Sequence, residues 1–216
     1  MPPDQAAGLR RRGTAQPVRC VSCFFDAASS STRLVHALHQ QGQTCLLVDI
    51  HNRLFATAST RSLFDWQHQL AHKQLNTLPQ AYGVGWSAPG LHLDAAHFSA
   101  AIQGYDSVVL DVGPIKDELA FPLNALNTVV IEVRPESTSM QRAYRLLKTL
   151  SHTSDAMKIY LLGDAAICDN VLDACRHFLV QSFAETVISV AHEDDAFTAL
   201  AVRMVHEETH RMVRCE

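Results

Sequence analysis

The residues between the first apolar run and the first helical pattern, Cys23–Thr32, are the first candidates for chemistry. A phosphate-binding loop needs glycines, whose N–H groups approach phosphate oxygens closely, and a lysine that neutralises the β and γ phosphates. No glycine lies between Gly13 and Gly42, and no lysine precedes Lys73. Asp26 would add a repulsive carboxylate near a triphosphate. Standard ATP binding is therefore not expected here.

The hydroxyl side chains at Ser29–Thr32 immediately precede the predicted helix. Because a helix begins with unpaired N–H groups, this end of the loop is able to attract some anion. We favour the plainer interpretation, in which a serine simply caps the helix.

Cys20 and Cys23 have the C-x-x-C spacing of metal and redox sites. They lie in an extended apolar run, where positions three apart face opposite sides, and no second C-x-x-C or C-x-x-H supplies further ligands. His68 and His72 have helical spacing, but no H-E-x-x-H glutamate lies between them. No metal site is predicted, and the chain's six cysteines are expected to be reduced.

The composition predicts one main domain, because 216 residues with 47% hydrophobic content can bury one substantial core. A net charge of −4 disfavours specific nucleic-acid binding. No secretory signal or membrane-spanning apolar stretch is recognisable, so a cytoplasmic protein is expected.

Short β-branched runs alternate with helical patterns, which predicts an α/β fold with a mostly parallel central sheet and helices on both faces. The predicted strands are Val18–Phe25, Thr44–Asp49, Ser107–Asp111, Thr128–Val133, Lys158–Leu162 and Thr186–Ala191. The predicted helices are Thr32–Gln41, Ser62–Leu75, Ala95–Gln103, Ser137–Leu150, Asp169–Gln181 and Asp195–Val213. The stretch Leu75–Gly90 is interpreted as a surface connection that precedes a short strand at Leu91–Leu93.

Separate segments resemble the MinD/ParA-like ATPase family in the family's order: Leu38–Asp49, Tyr105–Gly113, and Pro135-Glu136-Ser137-Thr138-Ser139 with its continuation to Lys148. The resemblance implies a Rossmann-like fold of the SIMIBI type and a degenerate nucleotide site. The remnants of that site are Ser29, Ser30, Asp49, Asp111 and Gly113. His51 stands where the family has a second carboxylate, and Leu161–Asp164 stands where its adenine-reading asparagine is expected.

The residues Asp4, Gln5, Ala6, Leu9 and Arg10 match the D-Q-A-x-x-L-R motif of FlhG-type regulators of flagellar number and placement. Residues 1–17 are polar and contain several prolines and glycines, so we expect them to form a flexible arm. The resemblance implies that the motif in this arm binds the SRP-type GTPase FlhF as a helix and stimulates GTP hydrolysis. The remaining residues, 18–216, would form the MinD/ParA-like domain.

Two functional interpretations remain open. In the first, the chain is a regulator without ATPase activity or cofactor, with flagellar switch proteins or a flagellar transcription activator as further partners. In the second, it is an active ATPase with an atypical loop that uses ATP and magnesium in positioning or partitioning.

Without ATP-driven dimerisation we expect a monomer. The C-terminal helix, at about 195–213, is amphipathic, and we expect it to pack on the sheet in preference to weak membrane contact at the cell membrane or flagellar base.

Overall fold

The structure is a computed structural model that describes residues 18–49, 53–54, 77–79, 102, 104–115, 128–152, 157–191 and 195–213, with the backbone alone at 77–79 and 207–213. Several predictions from the sequence lie outside these residues: the arm with Asp4, Gln5, Ala6, Leu9 and Arg10, the helix Ser62–Leu75, the strand Leu91–Leu93, and the residues His51, His68 and His72. Of the predicted helix Ala95–Gln103, Ile102 is described, and it is helical and buried.

Through residue 49 and again from residue 128 onward, described strands and helices largely alternate, as the sequence predicted; between these parts the described elements are strands. The strands are β1 (Arg19–Phe24), β2 (Cys45–Asp49), β3 (Thr77–Pro79), β4 (Ser107–Asp111), β5 (Thr128–Val133), β6 (Lys158–Gly163) and β7 (Val187–Ala191). The helices are α1 (Ala28–Gln40), α2 (Ser137–Leu150), α3 (Ala165–Phe178), α4 (Gln181–Ala184) and α5 (Ala196–Val213). The strands form one seven-stranded sheet in the order β3-β2-β4-β1-β5-β6-β7. Every neighbouring pair is parallel, which confirms the predicted sheet type.

Helices cover both faces of this sheet, and alternate residues of a strand therefore enter different cores. Val21 and Cys23 of β1 belong to the cluster that contains buried residues of α1 and α5, whereas Phe24 belongs to the cluster with α2 and α3. Burial on both faces explains why β2 and β4 are apolar at consecutive positions. In α5, Phe197 and Leu200 are buried, so this part of the helix packs on the core.

The structure corrects the predicted starts of two helices. α1 begins at Ala28 rather than Thr32, so the serines lie inside its first turns. α3 begins at Ala165 rather than Asp169 because the Asp164 side chain caps it, accepting a 2.9 Å hydrogen bond from the Ala166 N–H. It ends at Phe178, where Leu179 turns extended, and the short α4 follows separately.

The surface connection predicted across Leu75–Gly90 is also wrong in part, because β3 lies within it. Thr77–Pro79 pairs with Leu47–Asp49 at the edge of the sheet. Proline has no N–H group to donate within a central strand, but it is tolerated in an edge strand such as β3. The proline and the neighbouring turn residues therefore made this segment resemble a loop in the sequence.

Gly42 follows α1 with φ +77, the left-handed conformation that commonly ends a helix. Among the helices that the structure describes, none is long and apolar enough to cross a membrane.

Candidate functional site

Two aspartates meet at the C-terminal edge of the sheet, where open parallel sheets place their sites. Asp49 ends β2 and Asp111 ends β4, and the two residues are partners in the strand register. Both side chains are fully buried. The structure thus brings together two of the residues that the sequence singled out.

Asp49 organises the chain that follows β2. One of its carboxylate oxygens accepts a hydrogen bond from the Arg53 N–H at 2.9 Å, and the other accepts from the Leu54 N–H at 2.8 Å. Hydrogen bonds to a carboxylate are stronger than those between neutral groups. Asp49 therefore holds the backbone of Arg53 close to the edge of the sheet.

Asp111 receives a hydrogen bond from α1. The Ser31 hydroxyl donates to the Asp111 Oδ1 at 2.7 Å, and the Ser31 side chain is itself fully buried. The contact joins the first turns of α1 to the end of β4. A buried charge needs such partners, because its transfer out of water is otherwise very costly.

The other predicted hydroxyl residues have different environments. Ser29 is exposed and its carbonyl oxygen accepts a hydrogen bond from the Thr32 hydroxyl at 2.7 Å, whereas Ser30 is buried. The N-cap of α1 is Ala27, and no side chain caps it. The expectation that a serine caps this helix is therefore wrong, because the helix begins before the serines.

Arg53 occupies the space between the loops that follow β1 and β4. Its Nη1 donates to the Phe25 carbonyl oxygen at 2.9 Å, and its Nη2 donates to the Asp26 carbonyl oxygen at 2.7 Å. The Nη1 also lies 3.5 Å from the Asp111 Oδ1. The Arg53 side chain is only 18% exposed. One guanidinium thus bridges two loops while its own backbone is held by Asp49.

Gly113, in the loop after β4, packs directly against the Arg53 guanidinium. Its φ is +80, and a Cβ added there would lie 2.6 Å from the Arg53 Nη1. The position requires glycine for both reasons, because side chains disfavour this backbone conformation and the space is already filled. Gly113, which the resemblance marked as a remnant of the nucleotide site, here makes room for an arginine.

The polarity of this loop is opposite to that of a phosphate-binding loop. A phosphate-binding loop directs N–H groups at oxygens, but Phe25 and Asp26 direct carbonyl oxygens at a cation. The Asp26 N–H instead donates to the Glu132 Oε2 at 2.9 Å. The residues around Arg53 therefore do not fit a bound triphosphate.

The side chain of Asp26 faces β5 and a second arginine. Its Oδ2 lies 3.1 Å from the Arg134 Nε, and the Arg134 Nη2 lies 3.5 Å from the Glu132 Oε1. Together with the Glu132 bond to the Asp26 N–H, these contacts tie the loop to the end of β5. The Asp26 carboxylate is therefore part of an ion-pair network.

A small polar cleft lies beside this network, at the start of α2. Its volume is about 140 Å³. The lining residues include Asp26, Glu132, Arg134, Glu136 and Arg142. Both signs of charge are present, so the cleft has no clear preference for an anion.

Cys20 and Cys23 do not form a reactive pair. Burial raises the pKa of both thiols, and the Asp111 carboxylate raises the pKa of Cys23 further. A thiolate is required for nucleophilic or metal chemistry, and these environments oppose it. In the part of the chain that the structure describes, no group of three or more His, Cys, Asp and Glu residues is placed to hold a metal ion.

Three residues of this site were not predicted from the sequence: Arg53, Glu132 and Arg134. Ser31 was named within Ser29–Thr32, but its contact with Asp111 was not predicted. The sequence offered a signal that Ser31 belongs to the site, because the phosphate-loop pattern ends in a serine or threonine. The position of Arg53 just after β2 was a weaker signal. Its contacts depend on how three loops converge, which spacing along the chain does not reveal.

No protein-family model matches the chain, and no curated protein matches its sequence. Among solved structures, the MinD cell division protein of Aquifex aeolicus is similar, with a TM-score of 0.50 at 13% identity over 84% of this chain and 86% of that one. A ParA family ATPase from Chlorobium tepidum TLS gives a TM-score of 0.48 at 15% identity, over 87% of this chain and 93% of that one. At such identities the MinD likeness concerns the fold alone, and it agrees with the resemblance found in the sequence. The chain therefore has an α/β fold similar to that of this MinD protein.

Proposed function

We propose that this protein regulates flagellar number and biosynthesis by binding and stimulating the SRP-type GTPase FlhF, and that it is itself a pseudo-ATPase. The pseudo-ATPase proposal is supported above all by Arg53, whose guanidinium fills the centre of the degenerate site. The FlhF proposal is supported by the D-Q-A-x-x-L-R match at Asp4–Arg10. This motif lies outside the residues that the structure describes.

The directions of the hydrogen-bond donors and acceptors around Arg53 support the proposed loss of ATP binding. The Arg53 guanidinium bonds to two loop carbonyls and lies beside Asp111, so these donors are already used. Phosphate oxygens approaching the same loop would meet carbonyl oxygens without a lysine to offset the repulsion.

Nucleotide binding is measured directly by isothermal titration calorimetry with ATP and magnesium. We expect no binding up to millimolar ATP, and an active ATPase of the same fold serves as positive control. Micromolar, magnesium-dependent affinity, with turnover abolished by Asp111→Ala but retained in the surface control Asp173→Ala, would overturn the pseudo-ATPase proposal.

One observation favours the active-ATPase alternative. In P-loop ATPases, a serine or threonine of the loop and an aspartate at a strand end hold the magnesium ion. Ser31 and Asp111 have these residue types and are in direct contact. An ATPase with an atypical loop, acting in positioning or partitioning, would require Arg53 to leave this contact when nucleotide binds.

The arm is tested through the GTP turnover of FlhF. In this proposal Gln5 acts in trans near the partner's nucleotide, where a glutamine can orient the attacking water. We expect the intact protein to stimulate turnover, deletion of residues 1–17 to abolish the stimulation, and Gln5→Ala to reduce it strongly. Gln16→Ala is the matched control in the same arm and is expected to have no effect.

Unchanged stimulation after the deletion would refute the activating role of the arm. The result is independent of nucleotide binding by this chain, so the two parts of the proposal fail separately.

A further inference from the structure

An exposed aromatic surface lies at the end of α3, away from the site around Arg53. Among the residues that the structure describes, the large apolar side chains left exposed are Phe178 and Val180, each 69% exposed. α3 begins after the C-terminal end of β6 and runs back along the sheet. Its last residue, Phe178, therefore lies toward the N-terminal ends of the strands. Single exposed apolar residues are common, and this pair needs further support before it indicates binding.

The first support is that the Phe178 ring is held in place. It packs edge-to-face against Tyr144 of α2, with 6.4 Å between ring centroids, and against His177, with 4.6 Å between centroids. An aromatic side chain fixed before binding loses little conformational entropy when a partner covers it. Residues of this type supply much of the binding energy in protein interfaces.

The second support is the charge of the neighbouring helix. α2 contains Arg142, Arg145 and Lys148 and has no acidic residue. Lys148 lies one turn after Tyr144, so it projects on the side of α2 that faces the Phe178 ring. The protein as a whole has the opposite charge, −4, and the positive character is therefore local.

We propose that Tyr144, Lys148, His177, Phe178 and Val180, here called the Phe178 surface, bind an acidic segment of a partner protein. An apolar or aromatic side chain of that segment covers Phe178 and Val180, while its carboxylates pair with Lys148. A short peptide fits these charges better than an extended polyanion does, because exposed carboxylates lie at Asp173 in α3 and at Glu185 just after α4. These would repel a membrane or nucleic acid but leave space for a short segment.

The test uses a synthetic peptide in which Phe-Leu is flanked on each side by Asp and Glu residues. It is titrated into the ¹⁵N-labelled full chain and followed by amide chemical shifts. We expect saturable shifts at the Phe178 surface with a Kd on the order of 100 µM, as is typical of small interfaces. Both Phe178→Ala and Lys148→Glu should weaken binding about tenfold.

Arg142→Glu is the matched control, because it makes the same charge change on α2 but beside the polar cleft. It should leave affinity within about twofold, since only charges near the aromatic rings contribute directly. A peptide with serines in place of Phe-Leu should not bind.

The proposal is overturned if the peptide causes no saturable shifts, or if Arg142→Glu weakens binding as much as Lys148→Glu. It is also overturned if vesicles of phosphatidylcholine and phosphatidylglycerol, rather than the peptide, bind in a manner that depends on Phe178.

Discussion

Arg53 and Arg134 both contact the loop after β1, but they differ in exposure and in the groups that they bind. Arg53 is nearly buried and binds the carbonyl oxygens of Phe25 and Asp26 beside the buried Asp111. Arg134 is 41% exposed and pairs with an Asp26 carboxylate that is 38% exposed. Because water and salt screen the second pair but hardly reach the first, the two arginines should contribute very differently to stability.

The two arginines also show two different roles of charge at the C-terminal ends of the strands. The Arg53 guanidinium lies beside the fully buried Asp111 carboxylate, so its removal leaves that charge without this neighbouring cation. The Arg134 contacts adjust the position of a loop that remains in contact with water. The centre of this site is therefore expected to be rigid, while its rim behaves as an ordinary polar surface.

The largest expected effect is that of Arg53→Ala. This change removes a nearly buried cation from Asp111 and from two carbonyl oxygens, and we expect a loss of about 2–4 kcal/mol in the free energy of unfolding. Urea denaturation followed by circular dichroism measures it. A loss no greater than that of Arg134→Ala would contradict the distinction between the two arginines.

The next effect concerns Gly113→Ala. The left-handed φ alone costs about 1–2 kcal/mol for a residue with a Cβ, and the methyl group must also displace the Arg53 guanidinium. A double-mutant cycle with Arg53→Ala separates these costs. In the Arg53→Ala background only the backbone cost should remain, which gives a coupling of about 1 kcal/mol. Fully additive losses would show that the two residues do not compete for space.

The sequence predicted the sheet well because its strands are buried on both faces. β4 and β5 were predicted with their observed bounds, since consecutive apolar residues are a strong signal of that environment. The short β3 was missed because Pro79 and the surrounding turn residues resemble a loop. The start of α1 at Ala28 was missed because no side chain caps this helix, so the sequence has no capping signal there. The start of α3 at Ala165 was missed although Asp164 is of a preferred N-cap type.

The candidate site was less predictable, for a physical reason. Asp49, Asp111 and Gly113 stand at strand ends, and strand ends can be recognised locally. Arg53 acquires its role only when the loops after β1, β2 and β4 converge around it. The sequence indicated that a lysine was missing from the loop after β1, but it did not reveal that an arginine from another loop supplies the positive charge.

A smaller effect is expected for Ser31→Ala. The change removes the 2.7 Å hydrogen bond to Asp111 at a fully buried position, and we expect a loss of about 1–2 kcal/mol. Ser29→Ala is the matched control in the same helical turn, because Ser29 is exposed, and it should change stability by less than about 0.5 kcal/mol. Equal losses for both serines would indicate an effect on the helix rather than on Asp111.

The smallest effect should be that of Arg134→Ala. Exposed ion pairs contribute about 0–1 kcal/mol, and this contribution declines as salt screens the charges. Urea denaturation at low and at high sodium chloride, on the same variants, tests both statements. The loss for Arg134→Ala should shrink at high salt, while the loss for Arg53→Ala should persist because Arg53 is only 18% exposed and its neighbour Asp111 is fully buried. If the Arg134 loss were large and independent of salt, the loop would depend on both arginines equally, and exposure would not explain their difference.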